Sequence, residues 1–413
     1  MTGTRTLYRD LTLIDGTGAG PVADAAVLVE DGTVAYAGPA AGAPEADGAT
    51  ETVSLGGRTV LPGFIDTHVH LGVADGRALA VNHADIPLSL HALETAERMR
   101  VTLAAGVTGV RDLGGADAGF RTAQESGLVP GPRMRVALRL MSHTGGHADF
   151  TLPSGHDLHA HGLSVTEIVD SPQEARVAAR RLMRDGADVI KVCATGGVSS
   201  PSDTPDDEGL TTEEIAVIVE EASRHGGRPV AAHAQGAAGI RNAVLGGAAS
   251  IEHGYLVDDE GIDLMLERGT FLVPTLATFD FEDRVHLMTR KAVETKRALA
   301  ERTFERIAEA VRRGVRVAMG TDAGISEHGR NLNELRHLVS VGMSPMDAIV
   351  AGTRNAAELL GTADRVGTVE AGKLADLVVC DGDPLADVAL LGDPGCVVMV
   401  VQGGRVVKDI RAD

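Results

Sequence analysis

The chain has 413 residues, of which 44% are hydrophobic and 23% charged, enough for a core and too apolar for a disordered chain. Asp and Glu number 58 against 38 Lys and Arg, a net charge of -20, which disfavours nucleic acid and anionic membranes as partners. Aromatic residues are only 2%, with no Trp, which argues against base-stacking platforms and aromatic sugar clamps.

The length allows two or three domains, or one large barrel with an appendage. The first stretch reads as β. Leu11–Ile14 precedes the turn Asp15-Gly16, and the runs 26–30 and 34–37 flank Asp31-Gly32, a strong hairpin signal. A Gly/Ala/Pro-rich loop is expected over about 38–48. The last stretch is similar, with a strand over Asp376–Cys380 and the run 397–401 pairing with 405–407 across Gln402-Gly403-Gly404. Neither end has enough strands to fold alone. The economical expectation is one small β domain made of 1–60 and 363–413.

Between them, over about 61–362, short apolar runs alternate with helical patterns. Eight runs are expected as strands: 63–69, 106–113, 133–138, 188–193, 229–234, 250–254, 270–274 and 315–321. Helical segments are expected over 93–104, 172–184, 212–224, 259–267 and 291–312. Strands alternating with helices imply a parallel sheet. The fold class expected is α/β: a (β/α)8 TIM barrel with a small β-sandwich domain built from both chain ends. The competing open sheet wants a Gly-rich phosphate loop after its first strand, where this chain has His68-Val69-His70.

In a barrel, catalytic groups sit at the C-terminal strand ends. His68 and His70 close the first run, Lys191 lies in the fourth, His233 in the fifth, His253 in the sixth, and Asp322 follows the eighth. Two positions apart on a strand, His68 and His70 face one side. Such a pair suits a borderline metal such as zinc; His233 and His253 offer a second pair and Asp322 a carboxylate. Lys191, between Val189-Ile190 and Val192-Cys193, is costly to bury as an ammonium. As a free amine it can react with carbon dioxide to a carbamate able to bridge two cations. The alternatives are a lysine snorkelling to the barrel mouth or paired with Asp322.

These motifs, Pro62-Gly63-Phe64-Ile65-Asp66-Thr67-His68-Val69-His70, Lys191, His233, His253, Gly320-Thr321-Asp322 and the C-terminal run 367–377, resemble the amidohydrolase superfamily. The runs 190–197, 232–234 and 251–255 resemble its prolidase-like branch, which includes Xaa-Pro dipeptidases and ochratoxin-type amidases. The resemblance implies two Zn2+ bridged by a carboxylated Lys191. His68 and His70 would bind one zinc and His233 and His253 the other. Asp322 would ligate the first and shuttle protons while metal-activated hydroxide attacks an amide of a dipeptide or N-acyl amino acid.

The run 139–170 is long for a βα loop and holds five of the fifteen His. Ser142-His143-Thr144-Gly145-Gly146-His147 resembles the branch's substrate loop. His143 or His147 is a candidate donor to a substrate carbonyl or carboxylate, or else a solvated loop residue. His156, His159 and His161 read as solvated. Tyr255 either orients substrate or packs. Arg111-Asp112 reads as an ion pair, structural before functional, Asp203, Asp206, Asp207 and Glu208 as a solvated charge run, and Arg330 as a possible carboxylate partner. Cys193, Cys380 and Cys396 read as buried and unpaired. With no signal-peptide h-region and no transmembrane run, a cytoplasmic location is expected, with a small-molecule substrate and a homo-oligomeric state. The rival functions are a superfamily deaminase or a cyclic amide or lactone hydrolase, disfavoured by Lys191, and a non-catalytic scaffold, disfavoured because every ligand type is present.

Overall fold

The computed structural model describes residues 4–75, 86–151, 154, 165–198, 200 and 203–411. They divide into two compact units. One comprises 1–66, 100–109 and 329–413; the other comprises 67–99 and 110–328.

The first unit contains strands from both chain ends in one sheet. These are β1 (Arg5–Leu13), β2 (Val22–Glu30), β3 (Thr33–Pro39), β4 (Glu51–Ser54), β5 (Thr59–Pro62) and, far along the chain, β15 (Leu377–Cys380), β16 (Val397–Gln402) and β17 (Arg405–Asp409). Their order is β17-β16-β15-β5-β1-β2-β3, with β4 also on β1. The join between the ends is antiparallel, with Leu377 opposite Pro62 and Cys380 opposite Thr59. The β2–β3 hairpin turns at Asp31 and Gly32, with φ of 48° and 82°, as a two-residue primed turn requires. Tyr8, Leu11, Leu13, Val27, Val29, Val60, Leu377, Val379 and Val401 join in one buried cluster. Strand β4, just after the expected loop, was not foreseen.

Strands β6 (Phe64–Val69), β7 (Val107–Asp112) and β8 (Arg133–Val136) form a three-stranded sheet. A second sheet contains β9 (Leu140–Ser142), β10 (Thr166–Ile168), β11 (Ile190–Cys193), β12 (Val230–Ala234), β13 (Ser250–His253) and β14 (Phe271–Val273), in the order β10-β9-β11-β12-β13-β14. Every pairing in it is parallel. Helices alternate with the strands: α1 (Leu88–Ala104), α2 (Ala118–Glu125), α3 (Pro172–Asp185), α4 (Thr212–Arg224), α5 (Ala237–Leu245), α6 (Asp259–Arg268) and α7 (Arg290–Arg312). The fold is α/β with parallel sheets, as the alternation demands. Helix α4 starts where the sequence sets it, because Thr211 and Glu214 form a reciprocal capping box.

Two expectations need correction. The run 315–321 forms no continuous strand. It makes an isolated parallel bridge from Val317 to Leu272, with Leu272 N donating to Arg316 O and Ala318 N to Leu272 O, while Ala323 bridges Val69. Gly320 permits this close passage, since a Cβ there would lie 2.4 Å from Val273 Cγ1 and 2.8 Å from His68 Cβ. The run 139–170 is not wholly loop: its apolar Leu140-Met141 seats β9 against β11. Among the described residues no helix is long and apolar enough to cross a membrane.

Candidate metal centre

The strand ends of the second unit bring His68, His70 and Asp322 together. The backbone does much of this. Asp322 N donates to His68 O at 2.8 Å, and His70 N donates to Ala323 O at 2.8 Å. His68 Nε2 lies 3.5 Å and His70 Nε2 3.3 Å from Asp322 Oδ1. All three residues are buried, and one ligand atom from each falls within 4.8 Å of the others.

Each imidazole of the pair is pinned through its other nitrogen. His68 Nδ1 is 2.8 Å from Glu252 Oε2, and His70 Nδ1 is 2.7 Å from Gly114 O. When the rings are neutral, an Nδ1–H donated to those acceptors leaves an Nε2 lone pair on each, facing the carboxylate. Two nitrogen lone pairs and an anionic oxygen converging in a dry place are a donor set for a divalent cation. The residues fit such an ion.

The remaining expected residues adjoin this group. The ring centroids of His68 and His253 are 5.1 Å apart, and those of His253 and His233 4.6 Å. His253 Nδ1 is held by Thr275 Oγ1 at 2.7 Å, which leaves Nε2. His233 Nε2 meets Gly196 O at 3.0 Å, which leaves Nδ1. Lys191, 1% exposed, lies on β11 opposite Ala231 of β12 and Leu140 of β9. Three residues here, His253, Thr275 and Asp322, have φ of 73°, 50° and 55°, left-handed conformations that cost about 1–3 kcal/mol each and cluster at functional sites.

Burial dominates the electrostatics. It drives the pKa of His68, His233 and His253 well below the usual imidazole value, helped by Lys191 and neighbouring rings. It also lowers Lys191 against the opposing pull of Glu252, Cys193 and Asp322, which favours the neutral, nucleophilic amine. At Asp322 burial works against ionisation, but the hydrogen bond from His70 and the charges of His68, His70 and Lys191 outweigh it and pull the pKa down. At His70 burial opposes protonation, but the hydrogen bond and charge of Asp322, with Asp112 behind, pull its pKa up.

The loop candidates divide. His147 stacks on His233, with centroids 4.1 Å apart and planes at 13°. Gly197 makes room for it: a Cβ there would come within 2.4 Å of the His147 ring. His143 is partly outside this group, its Nδ1 2.8 Å from Thr144 O in an exposed contact. Tyr255 is buried, its hydroxyl 2.8 Å from Thr278 Oγ1 and 3.3 Å from Thr275 Oγ1. His156, His159 and His161 lie outside the described residues.

Two sequence readings change. Arg111 does not serve as a local partner of Asp112. Its guanidinium reaches Thr67 O, Ser250 Oγ and, at 2.8 Å, Glu252 Oε1, so it anchors the carboxylate that pins His68. Asp112 instead accepts from the backbone of Leu71, Gly114 and Ala116. Asp203 is no solvated charge: it is 4% exposed, accepts from Gly197 N at 2.9 Å, and stands 3.7 Å from His147 Nδ1. Glu252 was missed altogether, although an acid inside the apolar run Ser250-Ile251-Glu252-His253 is the same signal that exposed Lys191.

Comparisons with known proteins identify the chain's relatives. An amidohydrolase family model matches residues 59–407. The ochratoxinase of Aspergillus niger is 32% identical over 96% of this chain and 85% of its own. A prolidase crystallised with N-methylphosphonate-L-proline is 32% identical, with a TM-score of 0.91 over 98% of this chain and all of its own. An imidazolonepropionase of Methylobacterium sp. (strain 4-46) is 30% identical over 90% of this chain and 91% of its own.

Proposed function

The chain belongs to the amidohydrolase family, in the prolidase- and ochratoxinase-like branch, and is a hydrolase of C–N bonds; from that premise we propose that it is a dinuclear zinc enzyme cleaving dipeptides or N-acyl amino acids. The observation that carries this is the convergence of His68, His70 and Asp322 beside a buried Lys191 and two further pinned imidazoles. In this reading His68, His70 and Asp322 hold one metal and His233 and His253 the other. Lys191 Nζ, on adding carbon dioxide and losing a proton, would become an anionic carbamate and so a further oxygen ligand for such a centre.

Divalent metal in such a site supplies a Lewis acid and lowers the pKa of water towards neutrality. The protein supplies the rest. Glu252 and Gly114 O fix the imidazole tautomers. The Asp322 carboxylate takes a proton from attacking water and returns it to the departing amine, which needs one because an amide nitrogen leaves poorly. His147, stacked on His233, and Tyr255, tied to His253 through Thr275, orient the substrate. The same reading carries a closed barrel over 61–362 and a small β domain of 1–60 and 363–413. The bridges of the 315–321 segment to β14 and of Ala323 to β6 support that closure.

The test is metal content together with turnover. About two zinc per chain and release of amino acids from a library of dipeptides and N-acyl amino acids are expected. The similarity to an imidazolonepropionase favours a second reading, ring hydrolysis. One metal per chain, with cyclic amides or lactones consumed and the peptide library inert, would establish it instead.

A further inference from the structure

Gly196 and Gly197 follow β11, and each leaves room for a different side chain. A Cβ on Gly196 would lie 2.8 Å from both Cβ and Cγ of Asp203, and one on Gly197 would lie 2.4 Å from His147 Cε1. The two glycines thus let Asp203 and His147 close over the same strand end. Asp203 Oδ2 and His147 Nδ1 stand 3.7 Å apart there. Both atoms are buried, and among the described residues neither has a hydrogen-bonding partner. A buried polar atom left unpaired costs about 1–3 kcal/mol. A closure of about 1 Å would satisfy both at once.

The backbone that carries Asp203 is held by other contacts. Gly196 N donates to Asp207 O at 2.9 Å, Thr204 N donates to Asp207 Oδ2 at 2.7 Å, and Thr195 bridges Glu208. From α7, Lys291 Nζ donates to Asp203 O at 2.7 Å. Of the two carboxylate oxygens, Oδ1 accepts from Gly197 N and Oδ2 is left for the imidazole. The stack on His233 sets the plane of the His147 ring. A carboxylate beside one nitrogen then decides which of the two carries the proton.

We propose that Asp203 is the positioning residue of His147: it keeps a proton on Nδ1 and so leaves Nε2 as the atom that meets the substrate. This rests on the reading in which His147 orients the substrate, and deepens it. In Asp203→Asn the retained amide oxygen still accepts from Gly197 N, and the NH2 takes the place of Oδ2. Two donors cannot share the contact with Nδ1, so the proton must move to Nε2.

The proton can be located without turnover. Long-range proton–nitrogen correlation spectra are recorded on the full chain with nitrogen-15 in its histidine rings, and the His147 signals are identified by their loss in His147→Gln. Wild type should carry the proton on Nδ1. Asp203→Asn should move it to Nε2, and Asp203→Ala, a second variant, should leave the two forms mixed. A merely structural carboxylate would move neither. A wild-type proton on Nε2 or divided between the nitrogens overturns the proposal, as does one that stays on Nδ1 in both variants. Turnover gives a second reading. With the best substrate of the dipeptide and N-acyl amino acid library, Asp203→Asn should lower kcat/KM about 10- to 100-fold at unchanged metal content. The same change made in His147→Gln should cost less than about threefold, because Asp203 acts through that ring; fully additive losses overturn the proposal. An inert library with the proton shift intact would refute the reaction and leave the Asp203–His147 pairing standing.

Discussion

Replacing one oxygen of Glu252 by NH2 should disable His68 without moving it. In Glu252→Gln the amide oxygen can still accept from Arg111 Nη2 and Ser250 Oγ, which both bind Oε1 in the wild type. The NH2 then faces His68 Nδ1, where Oε2 stood at 2.8 Å. Two donors cannot share that contact. His68 must shift its proton to Nε2, and the lone pair directed at Asp322 is lost. Removing an outer partner of a liganding histidine typically weakens metal binding about 10- to 100-fold, or about 1.4–2.7 kcal/mol. Arg111 also loses its buried counter-charge. Stripping one partner from a buried pair costs about 3–5 kcal/mol, and the retained amide oxygen places this variant near the lower end. The assay is zinc titration of metal-stripped protein against a chromophoric chelator, with urea unfolding in parallel. Folded Glu252→Gln that binds zinc within about twofold of wild type would refute the tautomer argument.

Lys191→Ala should lower the metal content from about two to about one or fewer per chain while the protein stays folded, as read by elemental analysis; unchanged content and activity would remove the carbamate. Glu221, held by Arg180 and Arg176, has its pKa lowered to about 2, chiefly by the Arg180 hydrogen bond. A depressed acid stabilises the fold above its unfolded pKa and is lost as pH falls from about 4.5 towards about 2. Glu221→Gln should therefore lower the urea midpoint at pH 7 and flatten the decline in that acid window. Burial pushes Cys193 and Cys380 up to about 12, so neither thiol should react with a disulfide reagent at pH 8 until the protein is unfolded. Cys396, partly exposed, should react first.

The residues of the candidate metal centre stood out in the sequence because each breaks a rule. A histidine, lysine or acid inside an apolar strand is costly to bury, so it stands out against its neighbours. The five helical segments expected also formed, to within a few residues, because caps such as Thr211–Glu214 are local. What was hidden depended on partners distant in sequence. Arg111 looked paired to its neighbour Asp112, whereas its real acceptor lies 141 residues away. Asp203 sat in an acidic run that resembled a solvated loop. Lys296 lies in a highly charged helix, but the buried positions of α7 are Ala292, Lys296, Thr303, Ile307 and Ala310. That helical stripe puts a lysine on the core face, a signal the periodicity held and a charge count concealed. The three-residue strands β9 and β10 were too short for any alternation to show.

The sheet that joins the chain ends also sets an order of assembly. Strand β5 takes one neighbour from β1, near the start of the chain, and the other from β15, near its end. Thr59 Oγ1 donates to Gly382 O across 323 residues. At a synthesis rate of about 5–20 residues per second, that partner reaches β5 roughly 15–65 s later. Throughout that interval a nascent chain carries an open edge of Thr59-Val60-Leu61-Pro62, the kind of edge that invites pairing with a neighbouring chain. Chaperone demand during translation should therefore fall when β15 emerges rather than when the helices of the middle region are complete.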